Sequence, residues 1–390
     1  MFKHLFKMIW NKKKQNFLLI TEMLISFLVI FAVFTLLVYY YRNYKKPMGL
    51  EYENAWVITY NNTLKTERKD SIILFYDGLK EALKSMPQIK NVSYSSTNIP
   101  FTQNSMMNGI EYNGKHIIPN TCQVSDEYVN TLHIQVMEGR WFSKEDIGAK
   151  TRHVVINEKI KQTFFGNETA VGKYLGTDKG LKIIGVVHDT KMKGDYQDVG
   201  YWMYDRIDTS SMPWISRILV EVTPGADAAF EGKLYKTIAN TMKDSNIEIE
   251  HLTNKLKDTN YFALVPMITL SIVACFLIIN VALGLFGVLW YNINKRKAEI
   301  GLRRAVGATS GSVSSQLVSE ALILATLALI IGSFFAVQFP LLNVFDLPAG
   351  IYLTALGLAI LFIYVLVLIC ALYPGKQAAG IYPAVALHEE

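Results

Sequence analysis

Three stretches of this chain hold residue types that could do chemistry, and each implies a different kind. Residues 166–173, read Gly-Asn-Glu-Thr-Ala-Val-Gly-Lys, look like a loop that cradles phosphate. Such a loop needs four residues between its glycines and a Ser or Thr after the lysine. Here five residues intervene and Tyr174 follows, so the stretch is read as a decoy. His188 and Asp189 could start a metal site, but the seven histidines are scattered, and the pair is read as the end of a strand. No Ser/His/Asp or Cys/His arrangement can be argued from spacing, and no lipid-anchor cysteine stands near the start. The sequence therefore predicts no catalytic residue, no cofactor and no metal. The third stretch, residues 292–309, offers recognition rather than reaction. Lys295, Arg296, Lys297, Arg303 and Arg304 face a single acid, Glu299. On a helix, Ala298, Leu302, Ala305 and Thr309 share a face with Val306 beside them, while Arg296, Glu299 and Arg303 form a separate ionic stripe. Gly301 and Gly307 weaken that helix.

The elements around this stretch are apolar runs of membrane length. The chain has 390 residues, 51% of them hydrophobic, which points to a membrane protein with a soluble part. Spans are predicted over 17–41, 262–291, 317–342 and 350–373. The second is about 45 Å long as a helix, exceeds a bilayer core of about 30 Å and should protrude. The basic stretch 292–316 falls between two spans and is cytoplasmic by the positive-inside rule, whereas the turn holding Asn343, Asp346, Pro348 and Gly350 has no basic residue and lies outside. Residues 1–16 carry Lys3, Lys7, Lys12, Lys13 and Lys14 among Phe2, Leu5, Phe6, Ile9 and Trp10, as suits a helix on the inner membrane face. Four spans with both termini in the cytoplasm follow, the tail being 374–390. Tyr39, Tyr40, Tyr41, Trp290 and Tyr291 read as interfacial belts.

Glu22 is the only charge in the first span, either reaching an interface or partner helix or acting as an intramembrane carboxylate. Intramembrane polar groups are otherwise few, which disfavours a small-molecule channel. The net charge of +6 reflects membrane topology rather than nucleic-acid binding. Cys122, Cys275 and Cys370 imply no disulfide framework.

Residues 42–261 are too long for a loop and can build their own core. A strand 55–60, a helix 70–86 and a strand 91–95 make one βαβ unit; a strand 217–223, a helix 226–243 and a strand 247–251 make another. Two such units sharing a sheet give a split, ferredoxin-like domain, interrupted by a mainly β insertion over about 97–215. Within it, Asn113-Gly114 between Ile110 and Ile117 predicts a hairpin with a type I′ turn. The expected fold class is thus four transmembrane helices plus an α+β extracytoplasmic domain.

Glu299-Ile300-Gly301-Leu302-Arg303-Arg304-Ala305-Val306-Gly307-Ala308-Thr309 closely resembles the cytoplasmic signature of the FtsX/MacB-like permeases of ATP-binding-cassette systems. Further similar phrases are 128–132, 138–142, 154–158, 165–173 and 183–189 in the outer region, and 374–387 at the end. The resemblance implies a dimer of permease chains, identical or not, a separate ATPase subunit docked on Arg296, Glu299, Ile300, Gly301, Leu302, Arg303, Val306 and Gly307, and an outer domain of porter and sabre parts. A periplasmic adaptor or outer-membrane exit protein is a further expected partner. The chain itself is expected to hydrolyse no ATP, since it lacks a phosphate-cradling loop. The expected role is transmission of ATP-driven motion across the bacterial inner membrane for export, efflux or envelope remodelling. The rival role is a non-transporting scaffold that activates a cell-wall hydrolase or relays a signal; a membrane-anchored enzyme is disfavoured.

Overall fold

The computed structural model describes residues 13–61, 69–176, 180–208, 210–212, 215–295 and 297–379. The chain divides into two compact units, one of residues 43–263 and the other of residues 1–42 and 264–390.

The first unit is built on one sheet. Strands β1 (Ala55–Tyr60), β2 (Ile89–Ser95), β11 (Arg217–Val222) and β12 (Ile247–His251) lie in the order β12-β1-β11-β2, every adjacent pair antiparallel. This is the ferredoxin-like order expected of two βαβ units. Their crossover helices, α2 (Lys69–Lys84) and α5 (Ala228–Thr241), bury one stripe each: Ile72, Tyr76, Leu79 and Leu83 from α2, and Phe230, Leu234 and Ile238 from α5. Asp227 starts α5 by accepting the Phe230 amide at 2.9 Å.

The insertion does not form a separate sheet. It contains β3 (Ile110–Tyr112), β4 (Lys115–Ile117), β5 (Asn120–Val124), α3 (Tyr128–Thr131), β6 (Val136–Gly139), β7 (Arg152–Asn157), α4 (Glu158–Phe165), β8 (Tyr174–Leu175), β9 (Leu181–Val187) and β10 (Trp202–Arg206). The main sheet continues through β5-β10-β7-β9-β6, with β8 on β9, to ten strands in all. The two halves join where Ser95 of β2 pairs Val124 of β5. Trp202, Tyr204, Cys122 and Val155 face α3 and the Trp141-Phe142 pair on one side of this lobe, and Ile156, Ile183 and Met203 face α4 on the other. β3 and β4 form the predicted hairpin, with Asn113 at φ 50° and Gly114 at φ 77° supplying the two positive φ values of its turn.

The second unit holds helices α1 (Lys13–Tyr44), α6 (Leu252–Lys295), α7 (Lys297–Ala305), α8 (Ser310–Leu341) and α9 (Ala349–Ala379), of which the ends of α1 and α6 extend into the first. Four of them contain segments long and apolar enough to cross a membrane: Phe17–Tyr44, Leu252–Lys295, Gly311–Leu341 and Ala349–Pro374. The second runs unbroken for 44 residues with Pro266 inside it, well beyond a bilayer's hydrocarbon thickness. The expected amphipathic helix over 1–16 lies almost wholly outside the described residues.

Small side chains let these helices approach. Ala321, Ala325 and Ala328 of α8 and Ala355, Ala359 and Ala371 of α9 are buried in a core shared with Met23, Phe27 and Phe31 of α1 and Val281, Leu285 and Leu289 of α6. Gly332 marks the tightest contact, since a Cβ there would sit 2.4 Å from Cδ1 of the buried Phe27 ring. Gly332→Leu is therefore expected to lower the stability of the helical unit by about 1 to 3 kcal/mol through overpacking. Thermal unfolding in detergent checks this, and an unchanged midpoint contradicts it.

Candidate functional site

Of the residues singled out for partner recognition, Glu299, Ile300, Gly301, Leu302 and Arg303 fall on α7 and Val306 and Gly307 on the turn after it. Lys297–Ala305 is helical, and a small apolar cluster fixes its inner face: Ile300 packs with Ile293 of α6 and with Val313 and Leu317 of α8. Ile300 is only 7% exposed, and Gly301 beside it is buried. Leu302 and Val306 point the other way, 57% and 83% exposed. Two apolar side chains thus stand outward, Leu302 on a short helix whose opposite side is anchored and Val306 in the turn that follows it. The backbones of Glu299 and Arg303 lie on this helix, one turn apart; Arg296 lies outside the described residues.

The helix is shorter than its apolar periodicity suggests. Val306 donates its amide to the Leu302 carbonyl at 3.0 Å, and Gly307 then takes φ +104°, a left-handed conformation that ends the helix. Thr309 does not extend the apolar face, because it caps α8 by accepting the Ser312 amide at 3.3 Å. Pattern reading carried the face past Gly307 to Thr309; the glycine, already visible in the sequence, was the signal against it. The anchors Ile293, Val313 and Leu317 were not singled out beforehand, since each belongs to the apolar pattern of a neighbouring span.

The other candidates resolve into structural roles. Asp189 accepts from Asn157 Nδ2 at 2.6 Å and from the Lys159 amide at 3.0 Å, while His188 Nδ1 faces Glu158 at 3.4 Å, so the pair does not converge on one point. Among the described residues no group of three His, Cys, Asp or Glu side chains could hold a metal. In the 166–173 stretch, Lys173 pairs with Glu168 and lies over the Phe165 ring, and Gly172 donates to the Ile183 carbonyl at 2.8 Å. This is a turn laced onto β9, and its amide is already used. Glu22 rests on α6 where Gly284 leaves room, a Cβ at that position falling 2.8 Å from Glu22 Oε2. Cys122, Cys275 and Cys370 are free thiols.

Charge is concentrated in the inserted lobe. Asp146 accepts two bonds from Arg140, each 2.7 Å, the Ser143 amide at 2.9 Å, and lies 2.6 Å from His153 Nδ1. The Arg140 guanidinium, against the cost of burial and aided by the Ser143 amide and His153, holds the Asp146 carboxyl far below the ordinary range. Burial pushes the Asp198 carboxyl up, but hydrogen bonds from Lys159 and Lys46 outweigh it and bring the value to about 2.

Four helices long and apolar enough to cross a membrane, an α+β domain between the first two of them and a short helix in a basic stretch between the second and third are the features that the comparisons with known proteins meet. Residues 17–234 match the profile of the MacB-like periplasmic core domain and residues 271–383 that of the FtsX-like permease C-terminal region. The chain belongs to the MacB/FtsX-like family of ATP-binding-cassette permeases. It is 24% identical over 295 residues to the macrolide export ATP-binding/permease protein MacB of Escherichia coli K12 and, equally, to that of Shigella flexneri, the match taking in 72% of this chain and 45% of each relative. The chain thus spans less than half the length of these curated relatives. Among solved structures it is similar to the periplasmic region of MacB from Actinobacillus actinomycetemcomitans, with 17% identity, TM-score 0.38 and coverage of 56% of this chain and 98% of that one. It is also similar to the extracellular domain of the noncanonic ABC-type transporter YknZ from Gram-positive bacteria, with 15% identity, TM-score 0.34 and coverage of 50% and 100%.

Proposed function

We propose that the chain is the membrane subunit through which an ATPase held on α7 drives the outer domain, for export or envelope remodelling. The observation that carries this is the exposed pair Leu302 and Val306, on and just after a helix pinned from behind by Ile300. Exposed apolar residues in a stretch whose sequence is rich in lysine and arginine suit a protein partner better than water. Because Ile293 and Val313 belong to the helices on either side of α7, a push on it is felt first by those two helices. In this reading α7 is cytoplasmic, both termini lie on that side, and 43–263 lies outside. A second permease chain completes the pair of docking helices that a two-lobed ATPase would need.

The test is made on the full chain in its native membrane. Affinity purification should recover an ATPase with a phosphate-cradling loop, and single cysteines at Asn113→Cys and Arg303→Cys should be labelled by an impermeant reagent only at the first position in intact cells. Labelling of Arg303→Cys from outside, or purification free of any ATPase, sinks the reading. An ATPase that co-purifies beside a wall hydrolase and no transported cargo would favour the regulatory scaffold instead.

A further inference from the structure

The chain passes between its two units twice, at 42/43 and 263/264. Inside the outer domain, one segment without regular secondary structure, residues 189–200, grips the chain beside both crossings. On the first crossing, Asn43 Nδ2 donates to the Tyr196 carbonyl at 3.1 Å, and the rings of Tyr44 and Tyr196 stack at 6.0 Å. The buried Lys191 donates its ammonium to the Tyr44 carbonyl at 3.1 Å and its amide to Met48 at 2.9 Å. Tyr44 is the last residue of α1, so this ammonium meets a carbonyl left open by the helix end, where a cation is favoured. Lys46 adds an ion pair to Asp198 at 2.8 Å.

On the second crossing the grip is reciprocal. Asn260 of α6 donates Nδ2 to Asp195 Oδ2 at 2.7 Å and accepts the Asp195 amide on Oδ1 at 2.9 Å. Gly194, at φ +89°, makes this possible, because a Cβ there would lie 2.8 Å from Asn260 Oδ1. Thr259, also buried, donates to the Phe101 carbonyl at 3.0 Å, and the Phe101 amide donates to Met192 of the same segment at 2.8 Å. The segment is equally tied to the inserted lobe: Asn157 Nδ2 bonds both Asp189 and the Gly200 carbonyl, and Lys159 pairs with Asp198.

We propose that residues 189–200 are a strap that locks the two crossings to one another and to the β7–α4 corner of the inserted lobe, so that displacement of either crossing moves the lobe. The proposal rests on the mechanical reading above for its purpose, but not for its test. Nothing about the fold of the sheet requires this arrangement, since β9 and β10 could be joined by any loop of similar reach. What distinguishes this loop is that its side chains and amides reach both crossings, whose anchors Asn43 and Asn260 are far apart in sequence.

Hydrogen exchange on the full chain in lipid nanodiscs, without nucleotide or ATPase, tests it. Asn260→Ala should speed amide exchange about tenfold, the loss of one charge-assisted hydrogen bond, within 189–200 and also at 43–49, for which the structure gives no bond to Asn260. Asn43→Ala should likewise loosen 256–260. A change confined to the neighbours of the replaced side chain overturns the strap. To separate this from general loosening, Asp195→Cys/Asn260→Cys is compared with itself, oxidised and reduced, in a chain carrying Cys275→Ser and Cys370→Ser. Reduction should raise exchange at 43–49 while β1 and β12 stay unchanged; equal exchange at 43–49 in the two states overturns the proposal. Because no ATPase is present, a chain that recruits none still decides the matter.

Discussion

Asp146→Ala is expected to lower the stability of the outer domain by about 2 to 4 kcal/mol, since it removes a buried carboxylate that several donors share. The Asp146 side chain is 2% exposed, whereas Arg140 is 45% exposed, so the arginine can turn to water after the change and most of the cost falls elsewhere. That cost is the loss of the capping box at Ser143, where the Asp146 carboxylate accepts the Ser143 amide, and of the contact with His153. Asp146→Asn keeps the shape and one acceptor, so it should cost less than the alanine. The pH dependence has a definite sign. The folded-state pKa is depressed, chiefly by the Arg140 bond, so the contribution is fully present above the unfolded value, about 3.9, and is lost as pH falls through the folded value. Between pH 7 and 5 the gap between wild type and Asp146→Ala should therefore be constant, and it should close below about pH 4. Denaturant unfolding of the full chain, followed by tryptophan fluorescence, measures both. Equal midpoints at neutral pH, or a gap that widens in acid, contradict the assignment.

Asp146 also shows what a sequence can and cannot disclose. The phrase Glu138-Gly139-Arg140-Trp141-Phe142 was legible as a family resemblance, but nothing in its spacing says that Arg140 reaches forward to Asp146 or that His153 completes the set. The two βαβ units were legible because their apolar periodicities are local, and the Asn113-Gly114 turn because its backbone demands are. The join between the porter-like half and the insertion was not. It rests on a single pairing, Ser95 with Val124, between strands whose local patterns would be the same in two separate sheets. The 189–200 segment has no periodicity, and its importance lies in partners 65 residues away, such as Asn260, and 153 away, such as Asn43. At α7 the helix was readable, yet which apolar residue faces inward depended on Ile293 and Val313, contributed by helices whose packing no local pattern specifies.

That distinction between inward Ile300 and outward Leu302 makes the docking proposal separable from folding. Leu302→Asp places a charge where the side chain is 57% exposed, so its cost to the isolated chain should be within about 0.5 kcal/mol. Ile300→Asp, by contrast, would bury a charge in the cluster with Ile293, Val313 and Leu317 and is a poor test because the helix itself would come loose. If a partner covers Leu302 and Val306, the same aspartate is desolvated on docking without a bonded partner, and affinity should fall by more than tenfold, in line with the roughly 2 to 5 kcal/mol cost of an unpaired interfacial charge. Glu299→Lys should act similarly through the ionic stripe. Glu299 and Arg303 are four apart with the acid first, but an exposed helical pair of that kind contributes only about 0.3 to 0.5 kcal/mol, too little for local stability to explain the arrangement. The expected result is that Leu302→Asp and Glu299→Lys reach the membrane at wild-type levels, keep the outer domain's hydrogen-exchange pattern and lose the ATPase on co-purification. Retention of the ATPase at wild-type stoichiometry by both variants would leave α7 as a positively charged loop and place the docking surface elsewhere on the chain.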